Sequence, residues 1–261
     1  MTARRITLLT DFGTRDGFVG AVKGVLAALV PDAVVDDVAH DLPAGDVRAA
    51  ARAVARYWGR YPAGTVHLVV VDPGVGTERR ALACSASGRL LVGPDNGVLT
   101  PALSAADARC VRIDEWRLGP GVGKGAGIAP TFHGRDLFAP AAAALATGHG
   151  LEEIGPAVSD PLLLVHPTPT RDERGAQGEV VAVDHFGNLT TNLPGSWAEL
   201  GDVIELAGRR LELLRTYAEA PAGEALALVD SEGWIEIAVR DGSAARLLGV
   251  AEGAPARLIK R

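Results

Sequence analysis

Short apolar runs alternate with stretches of helical periodicity over the first 150 residues, and the alternation then gives way to short strands alone. Residues 6–10, 33–38, 66–71 and 90–92 are runs of strand length, rich in Val, Ile and Leu. Residues 17–29 read as a helix that Asp16 can cap and Pro31 ends. Residues 46–57 place Val47, Ala50, Ala51, Val54 and Trp58 at helical spacing, and residues 135–146 form an alanine-rich helix. Strands separated by helices of this length predict an α/β domain whose largely parallel sheet is covered on both faces. Beyond Gly150 the periodicity is broken by Pro156, Pro161, Pro167 and Pro169. Short strands follow at 179–183, 189–193, 203–206, 225–229 and 234–239, with turns at Gly187, Gly208, Gly223, Gly233 and Gly242. The expected organisation is an α/β domain over 1–155, a Pro-rich linker over 156–177 and a smaller all-β barrel or sandwich over 178–261.

Composition narrows the function classes. A net charge of −6 over 261 residues argues against a nucleic-acid partner, whose binders carry basic surfaces. Cys84 and Cys110 are the only cysteines and read as two reduced, packed thiols. The apolar run after Arg4 and Arg5 ends at Asp11, too short for a signal-peptide core, and no window reaches the ~18 apolar residues of a membrane span. The expectation is a cytoplasmic protein acting on a small molecule, with no membrane partner.

Three apolar runs end in a carboxylate followed by a loop: Leu8-Leu-Thr-Asp11-Phe-Gly, Val69-Val-Val-Asp72-Pro-Gly-Val-Gly-Thr-Glu-Arg79 and Leu90-Leu-Val-Gly-Pro-Asp95-Asn-Gly. Carboxyl ends of parallel strands are where α/β proteins collect their chemistry. Asp11-Phe-Gly13 matches the metal-binding triplet of protein kinases, but no His-Arg-Asp loop precedes it and that reading is rejected. Gly119-Pro-Gly-Val-Gly-Lys124-Gly lacks the Ser or Thr and the glycine register of a phosphate loop, so a surface loop is the better account. Asp11, Asp16, Asp72, Asp95 and His133 could together ligate a hard divalent ion. The remaining histidines, His40, His67, His149, His166 and His185, follow no zinc-type spacing. Asp72, Arg79 and His133 have a different logic: an arginine beside a carboxylate keeps it ionised and oriented, and an imidazole can reach the same water from another side. From the residues alone, that trio and a bracing ion pair Asp72–Arg79 stand equally well. Asp184-His-Phe186-Gly-Asn188 is either a hairpin turn or an aromatic face beside an amide, as an adenine ring requires. Ser231 and Glu232 read as a turn ahead of Trp234-Ile-Glu236-Ile.

Six segments in register, Thr10-Asp-Phe-Gly-Thr-Arg-Asp16-Gly, Val71-Asp-Pro-Gly-Val-Gly, Gly93-Pro-Asp-Asn-Gly-Val-Leu, Thr131-Phe-His-Gly-Arg-Asp, Asp184-His-Phe-Gly-Asn and Gly233-Trp-Ile-Glu-Ile-Ala, resemble the S-adenosylmethionine hydrolase (hydroxide adenosyltransferase) family, related to the bacterial fluorinase and chlorinase. The resemblance implies hydrolysis of S-adenosyl-L-methionine to adenosine and L-methionine without metal or other cofactor. It also implies a homotrimer with sites at subunit interfaces. On it, Asp72, Arg79 and His133 position the attacking water, Asp11 holds the ribose and Asp16 lies near the methionine ammonium. Phe186 and Asn188 bind adenine, Tyr217 stacks on its other face, Ser231 lies near the amino-acid end, and Glu236 and Val239 line the site.

Halogen-transferring relatives place Tyr where Asp72 stands, and Ser or Gly at the position of Gly134. A carboxylate and an imidazole in the halide cavity would repel an anion and orient a water, so hydroxide transfer is favoured over halogenation. Methionine leaves as a neutral thioether and needs no general acid, so the site's task is to supply hydroxide. Two other readings are a metal-dependent hydrolase of a nucleoside-type substrate and a non-catalytic protein that binds adenosine or S-adenosylmethionine.

Overall fold

The computed structural model describes residues 4–118 and 127–261, which divide into two compact units between Leu164 and Val165. The glycine-rich segment 119–125, read above as a surface loop, lies outside the described residues.

The first unit contains β1 (Arg5–Thr10), α1 (Phe18–Leu29), β2 (Val34–Ala39), α2 (Val47–Tyr57), β3 (Val66–Val70), β4 (Ala81–Ala86), β5 (Arg89–Pro94), α3 (Thr100–Leu103), β6 (Arg109–Arg112), α4 (Ala139–Ala146), α5 (Leu151–Ile154) and β7 (Ala157–Val158). Its seven-stranded sheet has the order β2-β1-β3-β5-β4-β6-β7. The β2, β1, β3 and β5 strands are parallel, whereas β4, β6 and β7 join antiparallel. The sheet is therefore mixed: the expected parallel pairing holds for β2, β1, β3 and β5 and not for the other three strands. β4 reads Ala-Leu-Ala-Cys-Ser-Ala, poor in the β-branched residues that announce a strand, and β6 has an arginine at each end. Positive φ at Ser87 (46°) and Gly88 (73°) closes the β4–β5 hairpin, a two-residue turn whose twist suits antiparallel strands.

Alternate residues of the central strands face opposite layers. Ile6, Leu8, Leu68 and Val70 pack with Val22 and Leu26 of α1 and with Ala139, Ala142 and Ala143 of α4. Leu9, Val69 and Val71 pack on the other side with Ala50 and Val54 of α2 and Ala102 of α3. Cys84 and Cys110 oppose each other across β4 and β6 as buried free thiols. Asp46 caps α2 by accepting from the Ala49 N–H at 2.8 Å. Asp16 does not cap α1: Gly17, at φ 77°, turns the chain into the helix with no side-chain cap, and Asp16 stays exposed.

The second unit contains β8 (Thr170–Asp172), β9 (Gly175–Val183), β10 (Leu189–Pro194), β11 (Val203–Leu206), β12 (Arg209–Glu212), β13 (Ala225–Val229), β14 (Trp234–Val239), α6 (Ala244–Leu248) and β15 (Pro255–Ile259). The main path, β12-β11-β15-β9-β10-β14-β13, is antiparallel throughout, with β8 added to β9. Leu213, just past β12, bridges Ala227 of β13, so the two ends of the sheet nearly meet in a barrel. Ile204, Leu206, Leu189, Ile235, Ile237 and Leu258 fill its interior.

Of residues 156–177, the first part binds to the α/β unit: Pro156 accepts from the Arg112 N–H at 2.9 Å, and the Leu164 N–H donates to Thr100 Oγ1 at 2.8 Å. The last part already forms β8 and the start of β9.

Candidate active site

Asp72 follows β3 by two residues, and Arg79 precedes β4 by two, so one loop carries both. The loop folds on itself: the Val75 N–H donates to the Asp72 carbonyl, and Thr77 Oγ1 donates to the Gly74 carbonyl at 2.7 Å. Gly76, at φ 78°, meets the neighbouring segment so closely that an added Cβ would lie 2.6 Å from the Pro130 carbonyl oxygen. That contact sets the loop against the approach to His133 and admits only glycine.

Arg79 joins the other two members of the trio. Its Nε donates to both Asp72 oxygens at 3.0 Å, and its Nη2 also reaches Asp72 Oδ2. The same Nη2 lies 2.7 Å from Nδ1 of His133. The side chains of Asp72 and Arg79 are 5% and 11% exposed, and the guanidinium lies 5.1 Å from the centre of the Phe138 ring. His133 ends the chain's approach to a wide π turn (Gly134–Phe138) that runs into α4, the kind of helix irregularity found at functional sites. Gly134 leaves room for Phe12 and Val70, whose nearest atoms would stand 3.2 and 3.3 Å from an added Cβ.

These contacts assign proton positions. Arginine is a donor only, so His133 Nδ1 must accept and its proton resides on Nε2. Burial and then the Arg79 guanidinium hold the His133 imidazole below its ordinary pKa, against the opposing pull of Asp72, Asp136 and Glu115. The trio is therefore neutral overall at neutral pH: one carboxylate, one guanidinium and a neutral imidazole presenting an N–H. Among the described residues, Asp72 Oδ1 receives only the Nε bond and so keeps acceptor capacity for a further donor.

Asp11 follows β1 directly and is half-buried; its Oδ2 accepts the Gly45 N–H at 2.7 Å. Asp95 lies with different partners. Its side chain pairs with Arg80 at 2.6 Å and accepts the Leu162 N–H at 2.7 Å. Among the described residues, no three His, Cys, Asp or Glu side chains gather as a metal-ligand set, so Asp11, Asp16, Asp72, Asp95 and His133 do not form one.

In the second unit the Asp184–Asn188 turn connects β9 and β10. Asp184 Oδ1 accepts from the backbone of Phe186 at 2.9 Å and of Asn188 at 2.8 Å, and Phe186 is 72% exposed. Asn188 is buried. Tyr217 is 44% exposed but turns its hydroxyl onto Glu236 Oε1 at 2.7 Å. Desolvation and that carboxylate raise the phenol's pKa, so it stays a donor. Ser231 stands exposed in the turn before β14, while Val239 is packed into the barrel core. Sequence reasoning gave no role to Asp184, Arg80 or Asn96. An aspartate opening a turn and an arginine beside another arginine carry no signal of their own.

The comparisons now decide the family. A model described as the SAM hydroxide adenosyltransferase N-terminal domain matches residues 6–155, and its C-terminal counterpart matches 178–257. The chain belongs to the SAM hydroxide adenosyltransferase family. It is 45% identical to an (R)-S-adenosyl-L-methionine hydrolase of Salinispora arenicola, covering 95% of each chain. It is also 45% identical to a protein of the same name from Thermus thermophilus, covering 98% of this chain and 100% of that one. A fluorinase of Actinopolyspora mzabensis is only 26% identical. An uncharacterized conserved protein from Thermotoga maritima shares the fold with a TM-score of 0.87 at 32% identity, over 98% of this chain and 100% of that one. No described helix is long and apolar enough to cross a membrane.

Proposed function

We propose that the protein hydrolyses S-adenosyl-L-methionine to adenosine and L-methionine by in-line attack of a water-derived hydroxide at ribose C5′. The observation that carries this reading is Arg79 bridging Asp72 and His133 in a nearly buried, neutral cluster. In this mechanism the His133 Nε2–H donates to the attacking oxygen, and Asp72 Oδ1 accepts a proton from it. Arg79 supplies positive charge without a titrating proton. A neutral cluster admits hydroxide more readily than a carboxylate alone would, and the sulfonium of the substrate adds a favourable charge. Charge is destroyed as hydroxide attacks the sulfonium, so exclusion of bulk water lowers the barrier further. Attack also requires the oxygen opposite sulfur at ~3–3.5 Å from carbon.

Asp11 receives the ribose hydroxyls, and Asp16 lies near the methionine ammonium. Phe186 and Tyr217 provide the aromatic faces for adenine, and Asn188 its edge. Glu236 acts through the Tyr217 hydroxyl, and Ser231 meets the amino-acid end. The relatives' name specifies the R substrate, and we assign the same epimer here. The reading includes a metal-free reaction, a homotrimer with sites at subunit interfaces and a cytoplasmic location. Against a halogenase stands the low identity to fluorinase, together with the carboxylate and imidazole that an anion would meet.

Incubation of the pure protein with each sulfonium epimer, with and without EDTA, tests the reading. Adenosine and methionine should accumulate from the R epimer at the same rate in both. Binding without turnover would contradict it, as would loss of activity in EDTA restored by one divalent ion. Asp11→Ala should weaken binding of adenosine by ~10–100-fold, because it removes charge-assisted bonds worth about 1.5–3 kcal/mol. Calorimetry with adenosine checks this, and an unchanged Kd would remove Asp11 from the ribose site.

A further inference from the structure

We infer that Asp95 and Asn96 are positioning residues for hydrolysis, gripping the two ends of the loop that carries Asp72 and Arg79. The inference rests on the assignment of Asp72, Arg79 and His133 to the attacking water.

The loop between β3 and β4 has its own internal turns, but its ends are fixed from β5. At one end, Asn96 Nδ2 donates to the Val71 carbonyl at 2.9 Å, and that carbonyl belongs to the peptide group leading into Asp72. The Asn96 amide is itself oriented, because its Oδ1 accepts the Val98 N–H at 3.1 Å. At the other end, the Asp95 N–H donates to the Arg80 carbonyl at 2.9 Å, and Arg80 Nε donates to Asp95 Oδ2 at 2.6 Å. Arg80 is the residue after Arg79, so both catalytic side chains leave the backbone one position from a fixed peptide group.

The grip is buried at Asp95. The Asp95 side chain is 2% exposed, and its second oxygen accepts the Leu162 N–H at 2.7 Å. Arg80 extends outward to Asp160, donating to its Oδ1 at 2.7 Å and to its carbonyl at 2.6 Å. A buried carboxylate so fully partnered is held in one place. The two neighbours of the loop therefore have different tasks: Asp95 accounts for Arg80 and spares Arg79 for Asp72 and His133. Such selection matters because two adjacent arginines could otherwise exchange partners, which would turn the guanidinium away from His133.

Misplacement of a reacting group by about 1 Å costs on the order of 10²-fold in rate. Asn96→Ala and Asp95→Asn are each expected to lower kcat by ~10–100-fold while KM stays within about threefold, since neither side chain is assigned to substrate. The decisive readout is a double-mutant cycle with Asp72→Ala. A residue that acts by placing Asp72 and Arg79 has little left to place once Asp72 is gone, so Asn96→Ala should add less than about twofold in that background. Two outcomes overturn the inference alone: a kcat within threefold of the parent for both soluble variants, or full additivity with Asp72→Ala. Should Asp72→Ala retain the parental kcat, the catalytic assignment falls and this inference falls with it. Of the two variants, Asp95→Asn keeps the side-chain shape, so it gives the result even where Asn96→Ala does not fold.

Discussion

His133→Ala is expected to lower kcat by ~10²–10⁴-fold with KM little changed, the range typical for loss of one proton-handling group. The imidazole touches Arg79 through Nδ1, so Nε2 is the atom available to the nucleophile. Its removal deletes a donor to the attacking oxygen without touching any residue assigned to adenine. The same geometry sets the pH dependence of the intact enzyme. The His133 pKa is depressed, so the working neutral form persists down through the ordinary histidine range. The rate should be level around neutrality and fall only below about 6.5, the unperturbed histidine value. The stability linkage has the same sign: between the unfolded and folded pKa values the unfolded chain binds more protons, so this contribution is complete above the unfolded value and is lost as pH falls through the folded one. A pH–rate profile measured with His133→Ala alongside checks both points. An acid limb unchanged in position and depth in the variant would show that another group titrates.

Arg79→Met should damage both fold and rate. Asp72 is nearly buried, and every side-chain bond described for its carboxylate comes from Arg79. Removing the guanidinium leaves a buried carboxylate without its counter-charge, and breaking such a pair costs about 3–5 kcal/mol. The rate should fall by at least ~10²-fold, because the electrostatic support for hydroxide is lost with the link to His133. Asp72→Asn/Arg79→Met, which removes both charges, should regain much of the stability and none of the activity. Denaturant unfolding separates the two effects. Equal stability of the single and double variants would mean that the pair is not energetically coupled.

Much of this site was legible along the chain, for identifiable reasons. Asp11 and Asp72 are visible because buried parallel strands read as uninterrupted apolar runs that end where the chemistry begins. Arg79 is visible because a loop of Pro and Gly returns it to that end. The choice between a catalytic trio and a bracing pair was not legible, since it depends on the 2.7 Å approach of His133, 54 residues further along the chain. Asp95 carried the same strand-end signature as Asp72 yet serves Arg80, because pattern alone does not say which cation a carboxylate meets. The antiparallel part of the sheet was missed for a local reason: β4 has no β-branched residue and β6 is short with an arginine at each end, so neither has a strand's composition. Asp16 was misread as a cap because a left-handed glycine performs the turn that a capping side chain usually stabilises. In the barrel, turns at regular spacing announced short strands, and the near-closure came from a single long-range bridge at Leu213 and Ala227.

The central claim is a single displacement at C5′ by solvent oxygen, and isotopic labelling tests it most directly. Direct attack places water oxygen in the 5′-hydroxyl of adenosine and none in methionine. Cleavage at C1′ would instead release adenine and label ribose, and elimination followed by rehydration would admit deuterium at C4′ or C5′. Turnover in ¹⁸O-water and, separately, in D₂O, with products resolved by mass, should give one ¹⁸O in adenosine, unlabelled methionine and no carbon-bound deuterium. Label in methionine, or deuterium on a ribose carbon, would contradict displacement by a water held at Asp72, Arg79 and His133.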